Sequence, residues 1–168
     1  MRAAKKMVKA VEPIPEGYHS FTPYLTVRGA DRAIDFYKRG LGAVELGRMT
    51  GPDGKSILHS VLEIGDSRFF ISDEIPGMGC RSPETLGGTC GGLYLYVHDV
   101  DEVFRKAIAA GAAEKQPVTD MFWGDRTGTI KDPFGYEWVL ATHTEDVSPT
   151  EMKRRQEEFC KGMGGGKT

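Results

Sequence analysis

The feature that most constrains this chain is an internal repeat. Tyr24-Leu25-Thr26-Val27-Arg28 runs into Ala33-Ile34-Asp35-Phe36-Tyr37 and closes at Gly42-Ala43. Tyr94-Leu95-Tyr96-Val97-His98 runs into Val103-Phe104-Arg105-Lys106-Ala107 and closes at Gly111-Ala112. The offset is 70 residues at the start and 69 at the closing glycine, and Ile64-Gly65 against Phe134-Gly135 returns it to 70. Two copies are too few for a solenoid, whose interior needs three or more. The repeat predicts two modules of one design, with a site where their equivalent faces meet.

Each module reads β-α-β-β-β. In residues 21–27, Phe21, Leu25 and Val27 alternate with Thr22, Tyr24 and Thr26, the pattern of a half-buried strand. A helix capped by Asp31 follows, with Ala33, Ile34, Tyr37 and Leu41 at helical spacing and Gly42 as its stop. Asp53-Gly54 predicts a hairpin between strands near 44–50 and 56–64, and Gly65-Asp66 turns into a strand at 68–72. Residues 73–91, rich in Gly and Pro, read as a linker. The second module, 92–143, begins with a strand at 92–97. Asp99 caps a helix with Val103, Ala107 and Ile108 on one face, and strands follow near 114–118, 126–131 and 136–142. Residues 1–20 read as an arm with a basic start at Lys5, Lys6 and Lys9. Residues 149–163 read as a C-terminal helix with a Met152/Phe159/Met163 stripe. The expected class is α+β, with modules at 21–72 and 92–143.

Composition narrows the function classes. A net charge of −2 and a pI near 6.1 give no electrostatic footprint for nucleic acid. No apolar run approaches the ~18 residues of a membrane span, and no signal-like apolar region follows the N-terminal lysines. The expectation is a cytoplasmic protein. Three cysteines, Cys80, Cys90 and Cys160, fit a reducing compartment, and none has a histidine at a spacing that marks a nucleophile.

The pieces in hand resemble a family. They are Thr22-Pro23-Tyr24-Leu25 followed by Ala33-Ile34-Asp35-Phe36-Tyr37, Ile57-Leu58-His59, Met121-Phe122-Trp123-Gly124-Asp125-Arg126, Asp132-Pro133-Phe134-Gly135-Tyr136, and Pro149-Thr150-Glu151-Met152. Together they are similar to the vicinal oxygen chelate superfamily, which includes glyoxalase I, extradiol dioxygenases and bleomycin resistance proteins, and within it to the PhnB-like branch. The resemblance spans about residues 12 to 160. It implies a cleft formed by the concave faces of the module sheets. In metal-using members that cleft carries four His or Glu ligands. The family pattern places those positions at Thr22, Phe69, Gly92 and Val139, and a slip of one residue would substitute Phe70, Leu93, Trp138 or Leu140. None is an imidazole or carboxylate, so no metal and no other cofactor is expected. A relocated site stays open. His59 and Glu63 share a strand face but stand ~13 Å apart, too far to hold one ion alone.

The candidate site follows from strand parity. Thr22, Tyr24 and Thr26 share one face, as do Gly92, Tyr94 and Tyr96. Tyrosines on such a face form an apolar wall with polar tips, suited to a flat organic ligand, or they fill the space of missing metal ligands. His59 is an interior histidine or a general base, and Glu137 is the second acid–base candidate. Trp123 and Arg126 are ligand candidates, with Arg126 either binding an anionic group or pairing with Asp125 to brace its loop. His19, His98 and His143 read as surface residues. The expectation is a homodimer that binds a small aromatic or anionic molecule without a metal. The alternative is a metal-dependent lyase, isomerase or dioxygenase with relocated ligands.

Overall fold

The computed structural model describes residues 11–77 and 79–164, so the lysines at 5, 6 and 9 lie outside the described residues. The first module comprises β1 (Tyr24–Val27), α1 (Ala30–Leu41), β2 (Val44–Thr50), β3 (Ile57–Ile64) and β4 (Ser67–Asp73). A short helix α2 (Pro83–Leu86) follows. The second module comprises β5 (Gly92–Tyr96), α3 (Val100–Ala109), β6 (Ala113–Asp120), β7 (Asp125–Lys131) and β8 (Glu137–His143), and α4 (Pro149–Gly164) ends the described chain. The sheets are ordered β1-β4-β3-β2 and β5-β8-β7-β6, with β1/β4 and β5/β8 parallel and the other pairs antiparallel. The fold is α+β, two copies of one β-α-β-β-β plan with a C-terminal helix.

Several local expectations need correction. The first strand starts at Tyr24 rather than Phe21, because Pro23 has no N–H for a ladder, and Phe21 is 81% exposed. Gly29, not Asp31, is the N-cap of α1, and the Asp31 carboxylate turns out to Arg48 at 2.8 Å. The capping acceptor comes from far away in sequence. Asp73 Oδ1 accepts from the Gly29 and Ala30 N–H groups at 2.9 and 2.8 Å, and its Oδ2 accepts from Ile57 N–H at 2.7 Å. The second module has the same device with another residue. Thr142 Oγ1 accepts from Val100 N–H and donates to the Val97 carbonyl, both at 2.9 Å. Asp99 caps α3 as expected, accepting from Glu102 N–H, but the buried face of that helix is Val100, Phe104 and Ala107, with Ile108 turned outward. The stretch read as a linker contains α2, started by Ser82 and Pro83 and stopped at Gly87.

The repeat register also shifts. Tyr24 pairs with Phe70 and Tyr94 with Val139, so the last strands are related by 69 residues rather than 70. Phe69 accordingly faces α1, with its ring 5.7 Å from Tyr37, and Phe70 occupies the position equivalent to Val139. The next strand is offset by 68. Val61 pairs with Phe70 and Thr129 with Val139, so His59 matches Thr127, not Thr129.

Both sheets bury one face under their helix, and the two helices pack on each other. A side chain at Gly40 would come within 3.2 Å of Ala107 Cα, so α1 and α3 approach at backbone distance. The core between them is aromatic, with Phe36 against Phe134 and Tyr37 against Trp138. At its centre lies Asp132, 4% exposed. Its Oδ2 accepts from the Tyr37 hydroxyl at 2.7 Å and Trp138 Nε1–H at 3.0 Å. Its Oδ1 accepts from the N–H groups of Phe134 and Tyr136, both at 2.9 Å. Burial raises its pKa above the usual carboxylate range, against the pull of these donors. Tyr136 completes the joint. Its hydroxyl accepts from Thr26 N–H and donates to the Thr26 carbonyl, both at 3.1 Å, closing the free edge of β1. Helix α4 is held on the second module by Phe159 against Phe122, centroids 5.0 Å apart, and by Arg155 on Glu145. The Met163 side chain, the last of the expected stripe, lies outside the described residues.

This joint predicts that Tyr37→Phe, which keeps the ring and removes one donor from a buried carboxylate, costs about 1–3 kcal/mol. Thermal unfolding should drop by several degrees with an unchanged circular dichroism spectrum. A midpoint within about 1 °C of the parent would contradict the role given to this bond.

Candidate ligand-binding site

Strand alternation sends one set of side chains to the helix and the other to the opposite, open face. On the second module the open face carries Tyr94 and Tyr96 from β5, Val139 and His143 from β8, and Asp125 and Thr127 from β7. The tyrosine rings lie 5.1 Å apart and are 48% and 61% exposed, whereas Asp125 is 3% exposed. Large aromatic side chains are therefore spread over a surface with a carboxylate buried beneath their tips.

That carboxylate accepts four side-chain bonds. Oδ2 accepts from the hydroxyls of Tyr96 at 2.9 Å and Tyr94 at 3.1 Å, and from Trp123 Nε1–H at 3.2 Å. Oδ1 meets His143 Nδ1 at 2.7 Å, and His143 Nε2 reaches Asp146 Oδ1 at 3.0 Å. Burial pushes the Asp125 pKa up, but the bonds from His143, Tyr96, Tyr94 and Trp123 outweigh it, and the net shift is downward. Asp125 is thus an ionised acceptor at neutral pH. The tyrosines shift the other way. Tyr94 is raised first by burial and then by its bond to Asp125, and Tyr96 first by that bond, so both stay neutral phenols. The local chain is built to hold this arrangement. Gly124 adopts φ +95°, and a side chain there would overlap the Glu145 carbonyl. Its own carbonyl accepts from the N–H groups of Thr144 and Glu145 at 2.9 and 3.0 Å, which pins the loop carrying Trp123 beside the strand end carrying His143.

The remaining candidates fall in different places. Arg126 is on the opposite face of β7. It holds Asp101 of α3 through Nε at 2.7 Å and Nη2 at 2.8 Å, and Asp120 through Nη1 at 3.0 Å. It braces, but not against Asp125, because adjacent strand residues point to opposite faces. Tyr24 and His59 form a separate cluster on the first module's open face, with His59 Nδ1 3.4 Å from the Tyr24 hydroxyl and its ring 4.8 Å from Phe70. Thr22 precedes β1 and has the parity of Tyr24. Glu137 has the parity of Val139 but lies at the far end of β8, 3.7 Å from Lys115 Nζ. No hydrogen bond or ring contact among the described residues joins the Tyr24 cluster to the Tyr94 cluster. A cleft of about 590 Å³ runs along the β5 edge, lined among others by Phe21, Leu25, Arg68, Tyr94, Tyr96 and Trp138. Within it, Arg68 already donates to Glu63 and to the Glu16 carbonyl and stacks 4.9 Å from the Tyr18 ring.

The donors do not suit a metal ion. With the corrected register, the positions of metal ligands in the resembling family are Thr22, Phe70, Gly92 and Val139, none with an imidazole or carboxylate. The relocated pair does not form either, because Glu63 is bound to Arg68 at 2.8 Å. Among the described residues, no group of three or more His, Cys, Asp or Glu is placed to hold an ion.

His143 is exposed, as expected of a surface residue, and both its ring nitrogens face carboxylates. Its pKa is raised by the bond to Asp125 first and Asp146 second. The charge-assisted interaction is therefore complete below the ordinary histidine value of about 6.5 and is lost as pH rises through the raised one. An NMR titration of the His143 ring should show a midpoint above 6.5 that falls in Asp146→Asn. A midpoint at or below the ordinary value would contradict the arrangement.

Known proteins share this sequence and fold. The model of the Glyoxalase/Bleomycin resistance protein/Dioxygenase superfamily matches residues 17–140. The uncharacterized protein Mb0911c of Mycobacterium bovis is 42% identical over 137 residues, covering 80% of this chain and 90% of the relative. The crystal structure of TioX from Micromonospora sp. ML1 aligns with a TM-score of 0.60 at 31% identity, over 74% of this chain and 99% of that one. The PhnB protein of Bacillus cereus shares the fold, with a TM-score of 0.57 at 18% identity over 74% of this chain and 99% of that one. The repeated β-α-β-β-β plan and these matches agree, and the chain belongs to the glyoxalase/bleomycin resistance protein/dioxygenase superfamily.

Proposed function

We propose that this protein is a PhnB-like, small-molecule-binding member of its superfamily that takes up a flat aromatic ligand on the open face of the second module without a metal. One observation carries the reading: two exposed tyrosines are fixed in place by a single buried carboxylate. Exposed side chains usually lose rotamer freedom when a ligand docks, and that loss weakens binding. Here Asp125 has already ordered Tyr94 and Tyr96, so the wall meets its ligand preformed. Trp123 adds a third ring on the same anchor. The expectation of an anionic ligand rested on Arg126, whose guanidinium is engaged by Asp101 and Asp120 on the other face. The reading therefore narrows to aromatic ligands.

Assembly belongs to the same proposal. The exposed Val44, Leu46 and Met49 on edge strand β2 give each chain apolar surface, away from the tyrosine wall, that a second copy covers in a homodimer. Light scattering should return twice the 18.5 kDa chain mass, and a concentration-independent monomer would count against it. Among the described residues no helix is long and apolar enough to cross a membrane.

The binding reading is tested with 2-naphthol as probe. Titration should shift the Trp123 indole N–H resonance saturably. Loss of one aromatic partner in Tyr96→Ala should weaken binding by about 0.5–1.5 kcal/mol, roughly 2- to 10-fold. No saturable shift, or an unchanged affinity in the variant, would remove this face as the binding surface.

A further inference from the structure

We infer that the tyrosine wall recognises hydrogen-bond donors, so that among ligands of equal shape it selects those presenting an N–H or O–H over those presenting only an acceptor. This rests on the binding reading above and names the chemistry of its ligand. The positions of two protons decide what the wall can offer. Asp125 is ionised and can only accept, and its Oδ2 lies 2.9 Å from the Tyr96 oxygen and 3.1 Å from the Tyr94 oxygen. An unprotonated carboxylate cannot supply the proton of either contact, so each phenol must donate. A phenol has one proton, and both are now committed inward. What each hydroxyl keeps for a ligand is lone pairs alone. Nearby polar groups reinforce this. Trp123 Nε1–H is also spent on Asp125, both nitrogens of His143 are held by Asp125 and Asp146, and the Thr127 hydroxyl lies buried below the tyrosine tips, 8% exposed.

The consequence is a surface that is apolar in area and acceptor-only at its tips. A ligand carbonyl, ether or carboxylate placed there meets lone pairs against lone pairs above a buried negative charge. A ligand N–H or O–H meets a waiting acceptor, strengthened because each phenol is polarised by donating to an ionised group. Selection by such a site is asymmetric, because burying a polar atom without a partner costs more than a well-made bond gains.

Indole and benzofuran test this directly. They have nearly the same shape, but indole presents an N–H where benzofuran presents an ether oxygen. Both are titrated into the full chain and followed at the Trp123 indole N–H and the tyrosine ring resonances. Indole should bind roughly 3- to 10-fold more tightly than benzofuran. In the double variant Tyr94→Phe/Tyr96→Phe, which keeps both rings and leaves Asp125 its bonds from Trp123 and His143, that preference should fall to about 1-fold because the acceptors are gone. Equal or tighter binding of benzofuran to the parent protein would overturn the inference while leaving the aromatic-binding reading intact. A preference for indole that survives in the double variant would also overturn it, because the donor would then be recognised elsewhere. If neither probe shifts these resonances, the binding reading fails and the inference with it.

Discussion

The structure depends on one buried carboxylate. Asp132 sits where α1, the β7–β8 turn and β8 converge, and it accepts from a tyrosine of one module and a tryptophan of the other. Leaving such a group without partners in an apolar core costs several kcal/mol, so its four donors fix one relative position of the modules. Tyr37 must come down from α1, Trp138 must point inward from β8, and the turn must present two backbone N–H groups. Once these are met, the helices lie between the sheets and the faces away from them are left exposed. The exposure of the tyrosine face is therefore a consequence of how the modules are joined.

The second buried aspartate is used differently. At Asp132 burial prevails and the carboxyl is held above its ordinary range, whereas at Asp125 the side-chain donors prevail and it stays ionised. The difference lies in what surrounds them. Asp132 is enclosed by the Phe36, Tyr37, Phe134 and Trp138 rings. Asp125 lies just under a half-exposed layer, where the histidine on its other oxygen bears a raised pKa of its own. A carboxylate in that position orders the side chains above it without being reached by solvent. The first module has no such anchor. The residue at the position of Asp125 is Ile57, and its Tyr24 meets His59 only at 3.4 Å. The two modules share a backbone plan and differ in which one is chemically equipped.

Much of this was legible in the sequence. The repeat announced the modules, and alternation placed Tyr94 and Tyr96 on one face. What the sequence misassigned has physical causes. The Gly65/Gly135 match suggested a constant offset, but the second turn is one residue longer relative to its strands, and that moved Phe70 rather than Phe69 to the open face. Asp125 and Arg126 looked like a pair because they are neighbours of opposite charge. In a strand, neighbours point apart, and each found partners distant in sequence. His143 is at the surface as expected, but its partner was missed: it continues the alternation of Val139, and following that parity two steps further places it beside Asp125. The Asp73 cap of α1 could not be read at all, because it joins residues more than forty positions apart through a strand pairing that only the fold creates.

In the proposed complex an aromatic ligand lies on the two tyrosines that Asp125 holds. A crystal structure of the protein grown with 2-naphthol tests it most directly. The naphthol ring is expected against Tyr94 and Tyr96, its hydroxyl directed at a phenol oxygen, with the Asp125 bonds unchanged. Naphthol bound instead in the groove lined by Gln116, Pro117, Met121 and Phe122, with the tyrosine face bare, would contradict it.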